Sequence, residues 1–141
     1  MAKAARRATR EVPTRTHPEI AGPPRARMTL DVGRLESALR KAVEGEVRFD
    51  TASQGLYAQD ASNFRQVPIG VVIPRTLDDV VAVHKICHRF GAPILNRGGG
   101  TSLSGETVNE AVVIDHSKYL TAIGELDHDR RLVTCERAAR R

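Results

Sequence analysis

Arg97-Gly98-Gly99-Gly100-Thr101-Ser102-Leu103-Ser104-Gly105 is the stretch on which the reading of this 141-residue chain turns. Three glycines in a row cost roughly 0.5–1 kcal/mol each relative to alanine in a regular element, so a chain keeps them where backbone approaches something closely or φ is positive. Without Cβ atoms, successive N–H groups can turn to one side and form a concave nest for an anion. Thr101 and Ser102 add hydroxyl donors, and Arg97 brings positive charge to the start of the loop. The stretch reads as a cradle for phosphates, with an ordinary turn as the plainer alternative.

Two familiar phosphate loops do not fit. Gly100 and Gly105 have the spacing of a Walker A loop, but Glu106 stands where the lysine belongs and reverses the electrostatics. Gly98 and Gly100 begin a dinucleotide fingerprint, but Leu103 takes the third glycine's place. The chain then turns strand-like at Ala111-Val112-Val113-Ile114, where that fingerprint would open a helix.

Upstream, Pro93-Ile94-Leu95 is expected to be a strand running straight into the loop. Before it, Val80, Val83, Ile86, Cys87 and Phe90 fall on one helical face. Thr76-Leu77-Asp78-Asp79 resembles a capping box at the start of that helix, and Gly91 stops it. Pro68 to Pro74 encloses Ile69 and Val71-Val72-Ile73, a β-branched run expected to be buried on both faces. Strand, helix and strand make a βαβ crossover, which puts the glycine loop at the C-terminal end of a parallel strand. Downstream, residues 111–115, 120–126 and 131–135 look like strands, the last two joined by a turn at Asp127-His128-Asp129-Arg130. The fold class expected is α+β, a βαβ unit followed by antiparallel strands.

The N-terminal third supplies a lead-in. Asp31 is a plausible N-cap, Leu35, Leu39, Ala42 and Val43 recur at helical spacing, and Gly45 is expected to end the helix. Glu46 to Phe49 suits a short strand. Thr51 to Arg65 suits loop or a short helical turn anchored by Leu56, Tyr57 and Phe64. Three parts result: a basic tail 1–27, a helix and lead-in 28–66, and the phosphate-binding unit 67–141.

The net charge of +5 resides in the tail, where seven Lys/Arg face two Glu; residues 28–141 balance. Its four prolines and scarcity of large apolar residues suit a disordered extension, with a nucleic-acid, membrane or targeting arm as the functional alternative. No apolar segment follows the basic residues, so a secretory signal has no support, and Met28 offers a second plausible translation start. No apolar run approaches the ~18 residues of a membrane span. Cys87 and Cys135 form no CxxC pair, which leaves a reducing cytoplasm as the expected location.

Residues 46–135 resemble the first FAD subdomain of the vanillyl-alcohol oxidase and p-cresol methylhydroxylase (PCMH-type) family. The branch they most resemble holds D-lactate, glycolate and D-2-hydroxyglutarate dehydrogenases. The resemblance is carried by Tyr57 to Arg65, Pro68 to Pro74, Asp79-Val80, Pro93, Arg97 to Ser102, Val113-Ile114-Asp115 and Ser117-Lys118. It implies that Gly98, Gly99, Gly100, Thr101 and Ser102, with Arg97, wrap an FAD pyrophosphate. Thr101 stands where some relatives attach FAD through histidine, so non-covalent binding is implied. The intact enzyme would oxidise a D-2-hydroxy acid and pass electrons to an iron–sulfur, cytochrome or quinone acceptor.

Three features depart from the family pattern: Glu106 replaces a glutamine, His116 replaces an aromatic, and Glu136 to Arg141 replaces the expected continuation. The chain therefore reads as a truncated or frameshifted member, inactive alone, with no catalytic residue to assign.

Other candidates yield bland readings. His84, Cys87 and His88 have a metal-compatible spacing but lack a fourth ligand. Asp60 and Arg65 are expected to pair and brace the loop, and Tyr57 to be a core aromatic. Ser102 and Ser104 lack a partner histidine at a nucleophile elbow. A non-redox phosphate- or nucleotide-binding module is the alternative function; nucleic-acid binding through residues 1–27 is a third reading and is not expected.

Overall fold

The computed structural model describes residues 30–136 and 138, so the tail, residues 1–27, and most of the last five residues lie outside the described residues. In chain order the elements are α1 (Val32–Ala42), β1 (Glu46–Arg48), α2 (Thr51–Leu56), β2 (Gly70–Ile73), α3 (Leu77–Phe90), β3 (Ile94–Arg97), β4 (Val112–Asp115), β5 (Ile123–Asp127) and β6 (Leu132–Cys135).

The first four strands form one sheet in the order β1-β2-β4-β3. β2, β4 and β3 run parallel, with Val71 opposite Val113 and Leu95 opposite Val113 in register, while β1 pairs antiparallel with β2. The crossover β2-α3-β3 is therefore present, but its strands are not neighbours; β4, arriving after the glycine loop, fills the gap between them. The antiparallel continuation is the β5-β6 hairpin, which forms a sheet of its own. The α+β class expected from the sequence holds.

Central position explains composition. β2 and β4 are buried along their whole length, and both are β-branched runs flanked by strands on either side. One face of the sheet packs against α1 and α3 through Leu35, Leu39, Val83, Ile86 and Cys87, which meet Val47, Val72, Val112 and Ile114. The lead-in thus shares its core with the βαβ unit. The opposite face is thinner: Val71, Ile73 and Val113 are covered by the partly buried Tyr57, Leu95 and Tyr119.

Capping follows the sequence with two corrections. Asp31 caps α1 by accepting from the Arg34 N–H, and Gly91 closes α3 in the left-handed region at φ 67°. Gly45, however, does not end α1: the helix stops at Ala42 with Val43 as its extended C-cap. Gly45 is needed because a Cβ there would lie 2.1 Å from the Ile73 carbonyl oxygen. At α3, the Thr76 hydroxyl accepts from the Asp79 N–H, but Asp79 does not reach back to complete a capping box. Its buried carboxylate instead accepts from the N–H groups of Glu44, Gly45 and Arg75. Three charge-assisted bonds satisfy that carboxylate better than the one a capping box offers.

The anchors expected in 51–65 also need correction. Leu56 and Phe64 are 74 % and 59 % exposed, whereas Ala58 is fully buried and Tyr57 partly so. The polar segment turns too tightly to bury large side chains: Asp50 caps the six-residue α2, and Asp60 organises the turn that follows.

Candidate functional site

The glycine loop leaves the sheet at the C-terminal end of β3, beside the end of β4. There Asn96, Arg97, Gly98 and His116 line a hollow of about 190 Å³. His116 is buried; its N–H donates to the Arg97 carbonyl, and its Nε2 lies 2.9 Å from Asn96 Oδ1. These two side chains form the floor, joining the two parallel strands where their ladder stops.

Among the described residues, no protein acceptor engages the amides of Gly98, Gly99, Gly100, Thr101, Ser102 or Leu103. A run of unsatisfied N–H donors at a strand end is the arrangement a phosphate group satisfies. Gly98 adds a second indication. Its φ is not in the left-handed region, and a Cβ built on it would meet nothing within 4 Å. Neither backbone conformation nor packing within the protein requires glycine there, so the space beside it is kept open. Gly100 differs: its φ is +65°, and a Cβ would lie 2.5 Å from an Arg97 guanidinium nitrogen.

The sequence-expected residues fall into distinct places. Gly98 to Thr101 form the open arc. The Ser102 hydroxyl is turned inward, accepting from the N–H groups of Ser104 and Glu106 and lying 3.4 Å from the Glu106 carboxylate. Arg97 does not extend into the hollow as a free cation. Its guanidinium donates to the carbonyls of Thr107 at 3.0 Å, Gln59 at 2.9 Å and Tyr57 at 3.5 Å, and lies over the Tyr57 ring.

Asp60 does not pair with Arg65. Its carboxylate accepts from the N–H and hydroxyl of Ser62 and from the N–H and hydroxyl of Thr107. The Ser62 hydroxyl above all, with Thr107, holds the Asp60 pKa down to about 2. Four donors occupy both oxygens and leave no lone pair for the Arg65 guanidinium. His84 and His88 are exposed at the margin of α3, with His84 Nδ1 2.8 Å from the Val80 carbonyl. Among the described residues, no group of three metal-ligating side chains converges.

Sequence reasoning missed Asn96, Gln59 and Thr107. Asn96 had a usable signal: a polar amide within an apolar strand that ends in a ligand loop. Gln59 contributes only its carbonyl to the bracing, of which side-chain identity carries little trace, and Thr107 adds its hydroxyl to two backbone groups through a partner 47 residues away.

A family profile described as FAD binding domain matches residues 68–140, just over half of the chain. This chain belongs to that family. Curated relatives of this FAD binding domain include a D-2-hydroxyglutarate dehydrogenase of Haemophilus influenzae, 31 % identical over 64 % of this chain and 9 % of the relative. A mitochondrial D-lactate dehydrogenase [cytochrome] of Kluyveromyces lactis is 34 % identical over 57 % of this chain and 15 % of its own length. The glycolate oxidase subunit GlcD of Bacillus subtilis is 31 % identical over 67 % and 21 %. The chain spans only about a tenth of the first relatives it matches.

Among solved structures, a 4-ethylphenol oxidase from Gulosibacter chungangensis superposes with a TM-score of 0.57 at 21 % identity, covering 69 % of this chain and 20 % of that one. A p-cresol methylhydroxylase gives 0.53 at 18 %, covering 67 % and 20 %. At these identities the likeness establishes the fold: this FAD binding domain has the PCMH-type architecture. Among the described residues, no helix is long and apolar enough to cross a membrane.

Proposed function

We propose that this chain supplies the pyrophosphate-holding subdomain of a flavin-dependent oxidoreductase that acts on D-2-hydroxy acids. Gly98, Gly99, Gly100, Thr101 and Ser102 hold the FAD diphosphate without a covalent bond, and Arg97 supports the loop. The observation that carries this reading is Gly98: a glycine that neither φ nor packing requires, opening a run of amides without protein acceptors. The hollow, at about 190 Å³, is smaller than the ~300–1,000 Å³ of small-molecule pockets, which suits a site that receives one part of a long ligand.

The substrate class is supported by the relatives' names, which share a 2-hydroxy acid. When bound, FAD supplies the capacity to take a hydride equivalent from carbon. This chain's residues bind and orient; none of them is assigned a catalytic role. An iron–sulfur, cytochrome or quinone acceptor and a cytoplasmic location belong to the same proposal, as does the division into 1–27, 28–66 and 67–141.

Titration of the chain with FAD and with ADP, followed through backbone amide NMR signals, tests it. Both ligands should shift Gly98 to Ser102, compete with one another, and bind more weakly than micromolar, because one subdomain grips only part of the cofactor. Acid denaturation should release all bound flavin. Submicromolar FAD affinity would contradict the partial-grip reading, and retained flavin would contradict non-covalent binding. ADP binding that FAD does not compete with would favour a non-redox nucleotide module.

A further inference from the structure

The segment that follows α2 runs alongside the glycine loop and is fastened to it at three places. At the start of the loop, Arg97 Nη2 donates to the Gln59 carbonyl at 2.9 Å. In the middle, the Ala61 N–H donates to the Gly100 carbonyl at 3.1 Å. At the far end, Asp60 Oδ2 accepts from the Thr107 hydroxyl at 2.9 Å and its N–H at 3.3 Å, while Arg97 Nη1 holds the Thr107 carbonyl at 3.0 Å. Thr107 is therefore gripped on its donor side by a carboxylate and on its acceptor side by a guanidinium.

Such fastening has a thermodynamic meaning for a loop of this composition. Glycine has more backbone freedom to lose than any other residue, so a free Gly-Gly-Gly arc would have to be ordered by its ligand at the expense of affinity. Here the ordering is done by protein groups away from the arc. Asp60 cannot act by direct contact with an anion: it is itself negative, and its oxygens are taken by the donors of Ser62 and Thr107. Glu106, the other carboxylate at the loop, lies 3.4 Å from the Ser102 hydroxyl, while the Thr107 N–H and hydroxyl both go to Asp60. The far-end clamp is thus Asp60 and Arg97 acting on one residue.

We infer that Asp60 is a positioning residue: by closing Thr107 onto the 59–62 segment it pre-shapes the Gly98–Ser102 amides and sets their affinity for a diphosphate, without touching the ligand. This inference rests on the phosphate-binding reading of the loop.

The test uses the full chain, Asp60→Asn, and inorganic pyrophosphate as the probe, with two readouts. In the absence of ligand, ¹⁵N relaxation should show the order parameters of Gly98 to Thr107 falling from rigid values near ~0.85 towards ~0.6 in the variant. Pyrophosphate affinity should fall about tenfold, the scale of lost preorganisation and of a broken charge-assisted bond, while the variant stays folded with its melting temperature lower by about 4–8 °C. If Asp60→Asn does not fold, Thr107→Val, which removes a single hydroxyl, is read the same way with a smaller expected effect. Unchanged order parameters and unchanged affinity would overturn the role given to Asp60. If wild-type amides ignore pyrophosphate, the binding reading falls and with it the inference; a wild type that binds beside a variant that binds equally well refutes the inference alone.

Discussion

The Tyr57 hydroxyl donates to Asp115 Oδ2 at 2.6 Å, tying the C-cap of α2 to the last residue of β4. Burial first, and then the neighbouring carboxylate, raises the Tyr57 pKa above the ordinary phenol value. Asp115 turns its other oxygen to the Ser117 N–H at 2.8 Å, so one carboxylate fixes both the thin face of the sheet and the exit of the chain. Tyr57→Phe should cost about 1.5–3 kcal/mol in urea unfolding, the net worth of a hydrogen bond to a buried carboxylate. A loss below about 0.3 kcal/mol would mean that water replaces the phenol fully.

Gly98 and Gly100 should respond oppositely to the same substitution. Gly98→Ala meets no atom within 4 Å, so stability should stay within about 0.5 kcal/mol of wild type while ADP affinity drops. Gly100→Ala places a side chain at φ +65° against Arg97 and should cost about 1–2 kcal/mol in stability, as expected for a left-handed residue. Thermal melts of the two variants beside ADP titrations separate the cradle from its scaffold.

Glu46 gives the fold an acid limb. Its carboxylate accepts from Lys118 Nζ at 2.5 Å, from the Tyr119 hydroxyl at 2.8 Å and from Arg48. The Lys118 bond first, then those of Tyr119 and Arg48, lower its pKa from 4.5 to about 2. A depressed folded-state pKa means stability that is fully present above the unfolded value and is lost as pH falls through the folded one. The loss should therefore run from about pH 4.5 down to about pH 2, and Glu46→Gln should flatten that part of a urea-midpoint profile. A Glu46 carboxyl ¹³C titration centred near 4.5 would contradict the network.

The two thiols should differ sharply in reactivity. Cys87 is buried in the apolar face of α3, and burial pushes its pKa up to about 11; Cys135 is exposed on β6. Reaction is through the thiolate and requires access. An aromatic disulfide reagent at pH 8 should therefore modify one thiol promptly and the second only at the rate of unfolding.

The sequence carried the scaffold well because its signals were local. Thr76 and Gly91 bracket α3, and the Val83, Ile86, Cys87 stripe is the buried one. The β-branched runs at 71–73 and 112–114 announced two strands, but not that the second would run parallel between β2 and β3. What escaped was long-range. Nothing local tells Asp79 to capture the amides of Glu44 and Gly45, or Asp60 to choose Thr107 over the nearby Arg65. The glycine loop was legible as a cradle, but Arg97 was legible only as a charge. That its guanidinium would serve three carbonyls depends on where residues 57–59 and 107 meet in space.

The insertion of β4 between β2 and β3 bears on how the chain assembles during synthesis. One of the two inner strands, β4, is the last of the four to leave the ribosome, so β2 and β3 emerge with a gap between them and no parallel partner to close it. Pairings between segments far apart in sequence form slowly, and open strand edges invite association while they wait. Chaperone capture and misassembly should therefore concentrate in nascent chains that end before residue 115, and fall once Asp115 has cleared the exit tunnel.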